Sequence, residues 1–132
     1  MFRVIIAGSR DFNDYELLKK TCAGILSSVP DDVEVVSGGA RGADKLGERF
    51  AKEYKLPLKV FPADWDKYGK SAGYKRNQAM AYYASYGDLK GLLVCFWDGE
   101  SNGTRHMIDM ANNYGLHVRC IHYNDKQYKL EI

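Results

Sequence analysis

Four short stretches of the chain carry the chemistry: three combine glycine with hydroxyl, guanidinium or carboxylate groups, and one without glycine sets a carboxylate beside tryptophan. They are Gly8-Ser9-Arg10, Ser37-Gly38-Gly39-Ala40-Arg41-Gly42-Ala43-Asp44, Pro62-Ala63-Asp64-Trp65 and Asp98-Gly99-Glu100-Ser101-Asn102-Gly103-Thr104. Glycine lets backbone N–H groups approach an anion closely, and Ser, Thr and Arg add donors, so the chemistry these types suit is the cradling of phosphate. Gly8, Ser9, Gly38, Gly39, Gly42, Gly103 and Thr104 are the candidate close donors, with Ser37 and Ser101 in the same turns. Arg10, Arg41, Lys75 and Arg76 are the candidate neutralising cations, and Asn77 follows the last pair. A single such turn is what any α/β domain needs where a strand feeds a helix; four clusters on one rim favour a ligand site.

Each candidate has a structural alternative. Arg10 is as suited to a surface ion pair with Asp11 or Asp14 as to a phosphate. Asp44 suits a ribose hydroxyl, and equally the positive end of a helix dipole. Lys75 and Arg76 at a helix start oppose that dipole, which asks for a local anion. Trp65 and Tyr68 suit stacking on a nucleobase, worth roughly 1–3 kcal/mol in nucleic-acid complexes, against packing on the domain or a subunit contact. Asp98 and Glu100 are candidate general acids or bases if buried beside a ligand, and inert if exposed. His106, His117 and His122 lack metal-ligand spacing, so no metal is expected, and no cofactor is required. The Gly-x-Gly-x-x-Gly fingerprint is absent. Gly69-Lys70-Ser71 imitates the end of a phosphate-binding P-loop, but Asp64 stands where its first glycine is needed.

The elements that must position these residues alternate. Apolar, β-branched runs at 2–7, 33–36, 58–61, 91–97 and 118–122 read as strands, with 91–97 a central one. Between them, helical spacing predicts a helix capped by Asn13 or Asp14 and ended at Pro30, a second from Ala43 to the Leu56-Pro57 stop, a third entered through Gly73–Asn77, and a fourth from Ser101 or Asn102 to Gly115. Residues 62–71 show no period and read as a long loop; 128–132 suggest a short edge strand. Alternation of this kind predicts an α/β, Rossmann-like three-layer fold: a mostly parallel sheet of about five strands with helices on both faces. In such sheets ligands bind beyond the carboxyl ends of the strands, and all four clusters follow strands, so they are expected on one rim.

Composition narrows the class. With 132 residues, 45% of them hydrophobic, the chain is expected to form one domain over 1–132. Nineteen basic against 17 acidic side chains give a net charge of +2, far from the strong positive field of a general nucleic-acid binder. Cys22, Cys95 and Cys120 lie in apolar stretches and read as core, and no run approaches the roughly 20 apolar residues of a membrane span, so a cytoplasmic protein without membrane contact is expected.

At Gly8-Ser9-Arg10, Ser37–Asp44, Ala72-Gly73-Tyr74-Lys75-Arg76-Asn77 and Ser101-Asn102-Gly103-Thr104 the chain resembles the SLOG superfamily, and within it the small YspA-like proteins, in order and over nearly its whole length. The resemblance implies a Rossmann-like domain that binds a nucleotide or an ADP-ribose-like phosphorylated ligand at this rim, sensing or sequestering a signalling nucleotide. Two alternatives come with it. LOG phosphoribohydrolases cleave the N-glycosidic bond of nucleoside phosphates, with Glu100 or Asp98 then stabilising the oxocarbenium charge. Those enzymes carry a catalytic glutamate two residues after their Gly-Thr; His106 stands there in this sequence. DprA-like proteins share the Ser-Gly-x-Ala-Arg-Gly stretch and imply a nucleic-acid partner. The resemblance to dimeric relatives further implies a homo-oligomer, for which Tyr82, Tyr83 and Tyr86 offer a surface.

Overall fold

A computed structural model describes residues 1–86 and 89–123. Five strands, β1 (Phe2–Gly8), β2 (Val33–Ser37), β3 (Leu58–Val60), β4 (Leu92–Trp97) and β5 (His117–His122), form one sheet in the order β3-β2-β1-β4-β5. Every pairing is parallel, with Val4 opposite both Val35 and Leu92 at its centre. β1 is the middle strand and β4 its inner neighbour. Residues 128–132, expected as an edge strand, lie outside the described residues.

The helices are α1 (Tyr15–Leu26), α2 (Ala43–Glu53), α3 (Trp65–Tyr68), α4 (Ala72–Ser85) and α5 (Asn102–Asn113). Because strand side chains alternate between faces, β1 serves two cores. Val4 and Ile6 pack with Leu18 and Cys22 of α1 and Phe50 and Ala51 of α2. Ile5 and Ala7 pack with Met80 and Ala84 of α4 and Met107 and Ala111 of α5. This is the three-layer, Rossmann-like α/β arrangement, and its parallel strands all deliver their carboxyl ends to one rim.

Local chemistry explains where the structure departs from the periodic pattern. The stretch 62–71 is not a plain loop: α3 is followed by a 3₁₀ turn over Gly69–Ser71. The Asp64 carboxylate caps α3 by accepting from the Lys67 N–H at 3.1 Å, and the Ser71 hydroxyl donates to the Tyr68 carbonyl at 2.9 Å. Four helical residues are too few to display a repeat. Asp14 rather than Asn13 caps α1, accepting from the Leu17 N–H.

Tyr83 does not share a surface with Tyr82 and Tyr86. Its hydroxyl donates to Glu34 at 2.6 Å and Arg3 lies 4.0 Å over its ring, whereas Tyr82 and Tyr86 are exposed. Cys22 and Cys95 are buried, while Cys120 is half-exposed on β5. Among the described residues no helix is long and apolar enough to cross a membrane.

Candidate functional site

The rim is built around the end of β1. A Cβ on Gly8 would fall 2.2 Å from the Phe96 carbonyl oxygen and 2.9 Å from the Ala43 Cβ, so only glycine lets β1, β4 and the start of α2 close together. The chain then turns at buried Ser9, whose N–H donates to the Phe96 carbonyl and whose carbonyl accepts from the Phe12 and Ala43 N–H groups. Its hydroxyl accepts from the Asp98 N–H at 3.1 Å and so ties the β4 turn to the β1 turn. Gly42, at φ +80°, passes so close that a Cβ would sit 2.5 Å from the Ser9 and Arg10 carbonyl oxygens. Ser9 and Gly42 therefore first fix the backbone of the site.

Over this frame lies a hollow of about 450 Å³. Its lining joins Ala7, Met80 and Met107 from the core to Ser9, Arg10, Arg41 and Asp44 on one side and Arg76, Asn77, Ser101, Gly103 and Thr104 on the other, with Trp65 at its border. A second hollow of about 350 Å³ shares Arg10, Ala40, Arg41, Trp65 and Arg76 with the first and adds Gly38, Gly39, Pro62 and Ala63. Sequence positions from 7 to 107 thus converge on one place.

Three guanidiniums stand on the wall common to both hollows. Arg76 donates from Nη1 to the Gly38 carbonyl at 2.6 Å and from Nε to Asn77 Oδ1 at 3.0 Å. Burial pulls its pKa down, the nearby Asp44 carboxylate pulls it up, and the Arg10 charge adds to the lowering. Arg10 and Arg41 form no ion pair among the described residues; Asp14, which sequence offered to Arg10, caps α1 instead. Asp44 is buried and accepts from the Ala40 N–H at 3.2 Å. Loss of solvent pushes its carboxyl up to about 6 against the backbone N–H bonds and Arg76, which hold it down.

Asn77, also buried, donates from Nδ2 to the Gly103 carbonyl and lies 3.2 Å from His106 Nδ1, which joins α4 to the start of α5. The His106 ring packs against Tyr74 with centroids 4.3 Å apart, and burial lowers its pKa. His106 supports Asn77 and is not part of the lining.

Several candidates have other work. Ser37 is fully buried; its hydroxyl donates to Glu48 at 2.7 Å and accepts from the Gly39 N–H, so it shapes the turn from beneath. Lys75 points its ammonium over the Tyr68 ring at 4.9 Å and lines neither hollow; Lys70 lines the first instead. The Asp98 carboxylate accepts from the Glu100 and Ser101 N–H groups at 2.9 and 2.8 Å, and these bonds hold its pKa below the usual carboxylate range. An acid so engaged is poorly suited to proton transfer. Glu100 is exposed and outside the lining. Among the described residues no group of His, Cys, Asp or Glu is placed to hold a metal.

The pattern missed Asp11, Lys70, Tyr74, Met80 and Met107 as lining residues. A signal for one of them was present: Gly73, Arg76, Asn77 and Met80 follow the i, i+3, i+4, i+7 spacing of one helix face, and that face of α4 meets the hollow.

Residues 2–68 match the family described as YspA, cpYpsA-related SLOG family, a span that includes the β1 and β2 turns and Trp65. The chain is also similar to the Gene 61 protein of Mycobacterium phage D29, with 36% identity over 133 residues covering 96% of this chain and 99% of that protein. No solved structure matches it.

Proposed function

Starting from the chain's membership of the YspA, cpYpsA-related SLOG family, we propose that it binds a nucleotide or ADP-ribose-like phosphorylated ligand at the carboxyl rim of its sheet and acts by sensing or sequestering it. The observation that carries this reading is the gathering of Arg10, Arg41 and Arg76 around one hollow, none of them with an ion-pair partner among the described residues. Arg10 and Arg41 are exposed and Arg76 is half-buried, so water screens part of their mutual repulsion, and an anion seated among them relieves the rest. The start of α5 meets the same hollow without a side-chain cap, so its first-turn N–H groups add to the attraction for phosphate. Ligand sites of small molecules span roughly 300–1,000 Å³, which suits a nucleotide here. Met80 and Met107 offer an apolar floor to a base.

Calorimetry and thermal denaturation against a panel of nucleoside mono- and diphosphates and ADP-ribose test the proposal. Stabilisation by at least one is expected, and none by any would end it. Chromatography of the incubated nucleoside monophosphates separates a binder from an N-glycosidase; retention of the intact nucleotide is expected, because Asp98 is bound to backbone N–H groups and Glu100 lies off the lining. Gel shifts with single-stranded DNA at low salt address the nucleic-acid reading, for which a net charge of +2 gives little drive.

A further inference from the structure

We propose that Cys120 is a peroxide-sensitive thiol and Cys95 its resolving partner, the two closing into a reversible disulfide between β5 and β4. Cys95 and Cys120 stand directly opposite each other in the parallel pairing of β4 with β5. Both pack into the core shared with α4 and α5, so their side chains leave the sheet side by side on one face. Neighbouring strands run roughly 4.7–4.9 Å apart, inside the roughly 4.4–6.8 Å between Cα atoms that a disulfide spans, so the backbone already stands at bridging distance. The sulfurs meet as well: the Cys95 thiol donates to the Cys120 sulfur.

The two thiols are unequal. Cys95 is buried, whereas Cys120 is half-exposed on the edge strand, and its Sγ lies 3.4 Å from His122 Nε2, two residues along the same strand. The bond from the Cys95 thiol, and after it the imidazole, favour a thiolate on Cys120 and hold its pKa below the ordinary thiol value. Donating that bond and burial push Cys95 the other way. An accessible thiolate attacks, and a buried thiol beside it resolves. Cys22 is the contrast within the same chain: it packs on the opposite face of the sheet, and burial pushes its thiol up to about 12. The Cys120 thiolate attacks one oxygen of hydrogen peroxide; the S–O bond forms as the O–O bond breaks, and the departing hydroxide takes up the proton the thiol released and leaves as water. Cys120 is thereby oxidised by two electrons to a sulfenic acid and the peroxide is reduced. The Cys95 sulfur then attacks the Cys120 sulfur: the S–S bond forms, the S–O bond breaks, and hydroxide leaves with the Cys95 proton as water. A dithiol such as dithiothreitol restores both thiols by exchange and becomes a disulfide itself.

The test treats the folded native chain with hydrogen peroxide, blocks the remaining thiols with N-ethylmaleimide in denaturant and maps Cys22, Cys95 and Cys120 by mass spectrometry. The expected product has lost two hydrogens, joins the Cys95 and Cys120 peptides within one chain, keeps Cys22 as a blocked thiol and returns to the starting mass with dithiothreitol. Cys120 is expected to react at least about tenfold faster than Cys22. In Cys95→Ser the resolving thiol is gone, so Cys120 is expected to take up dimedone, a sulfenic-acid reagent, in step with peroxide. Thermal denaturation checks that the variant is folded, and the mapping on the native chain stands whatever the variant does. Oxidation of Cys120 no faster than that of Cys22 would overturn the site. Oxidation of Cys120 while Cys95 stays a free thiol, whether to a higher acid or to a bridge with a second chain, would overturn the pairing. A folded Cys95→Ser that takes up no dimedone would overturn Cys120 as the attacking thiol. None of these results depends on whether the hollow takes a nucleotide.

Discussion

Arg10 and Arg76 face the same hollow but differ in what else they hold, and their substitutions should separate accordingly. Arg10 has no ion-pair partner among the described residues, so Arg10→Ala is expected to change stability by no more than about 0.5 kcal/mol. The same change removes a charge-assisted contact to phosphate worth about 1.5–3 kcal/mol, a loss of tenfold or more in ligand affinity by calorimetry. Arg76→Ala deletes the bond to the Gly38 carbonyl and strips buried Asp44 of its nearest cation, so urea denaturation should show a loss of about 1–3 kcal/mol as well as weaker binding. Asp44 adds a pH dependence. Its folded pKa is raised from 3.8 to about 6, so its contribution to stability is fully present below pH 3.8 and is lost as pH rises through about 6. An ionised Asp44 also repels an anion, so affinity for ADP-ribose, which has no phosphate titrating in that range, should fall as pH rises through about 6. Asp44→Asn should flatten that profile; a flat profile in the native chain would show that Asp44 does not face the bound anion.

The turns act as units, and Gly42 shows why their composition is so restricted. Gly42→Ala places a Cβ at φ +80° and 2.5 Å from two carbonyl oxygens, so a destabilisation of about 1–3 kcal/mol is expected in urea, together with weaker ligand binding because Ser9 and Arg10 must move. Such turns were legible in sequence because their chemistry is contiguous: Gly8-Ser9-Arg10 and Ser37–Asp44 are read directly along the chain. The inner strands β1 and β4 were legible for a similar reason, since parallel strands buried on both faces are largely unbroken apolar runs, whereas the edge strands β3 and β5 are partly exposed and carry Lys59 and Arg119 among their apolar residues. What sequence could not show depends on partners far along the chain or on very short elements. The bond from Ser37 to Glu48, which takes the serine out of the lining, appears only once β2 and α2 are packed. Asp98 turns back onto the N–H groups two and three residues ahead, an arrangement that the composition of the turn permits but does not require. Met80 and Met107 carry helical periodicity whether they fill a core or floor a cavity, so spacing alone could not assign them to the hollow.

For the whole molecule, the informative feature is the agreement between topology and charge. A net charge of +2 gives no broad field, so attraction to phosphate has to be made locally, and the order β3-β2-β1-β4-β5 makes it by bringing the turns after β1, β2 and β4 to one edge. The helical layers have separate cores, one formed with α1 and α2 and the other with α4 and α5, and the hollow is lined from both sides of that division. A small molecule seated there would act as a brace between layers whose side chains are otherwise kept apart by the sheet. At a hundred times its dissociation constant it would add about 2.7 kcal/mol to global stability. Hydrogen exchange followed by mass spectrometry should then report slower amide exchange together in peptides from 8–11, 38–44, 73–77 and 98–104. Slowing in one peptide alone would mean that the guest grips a single corner and braces nothing across the sheet.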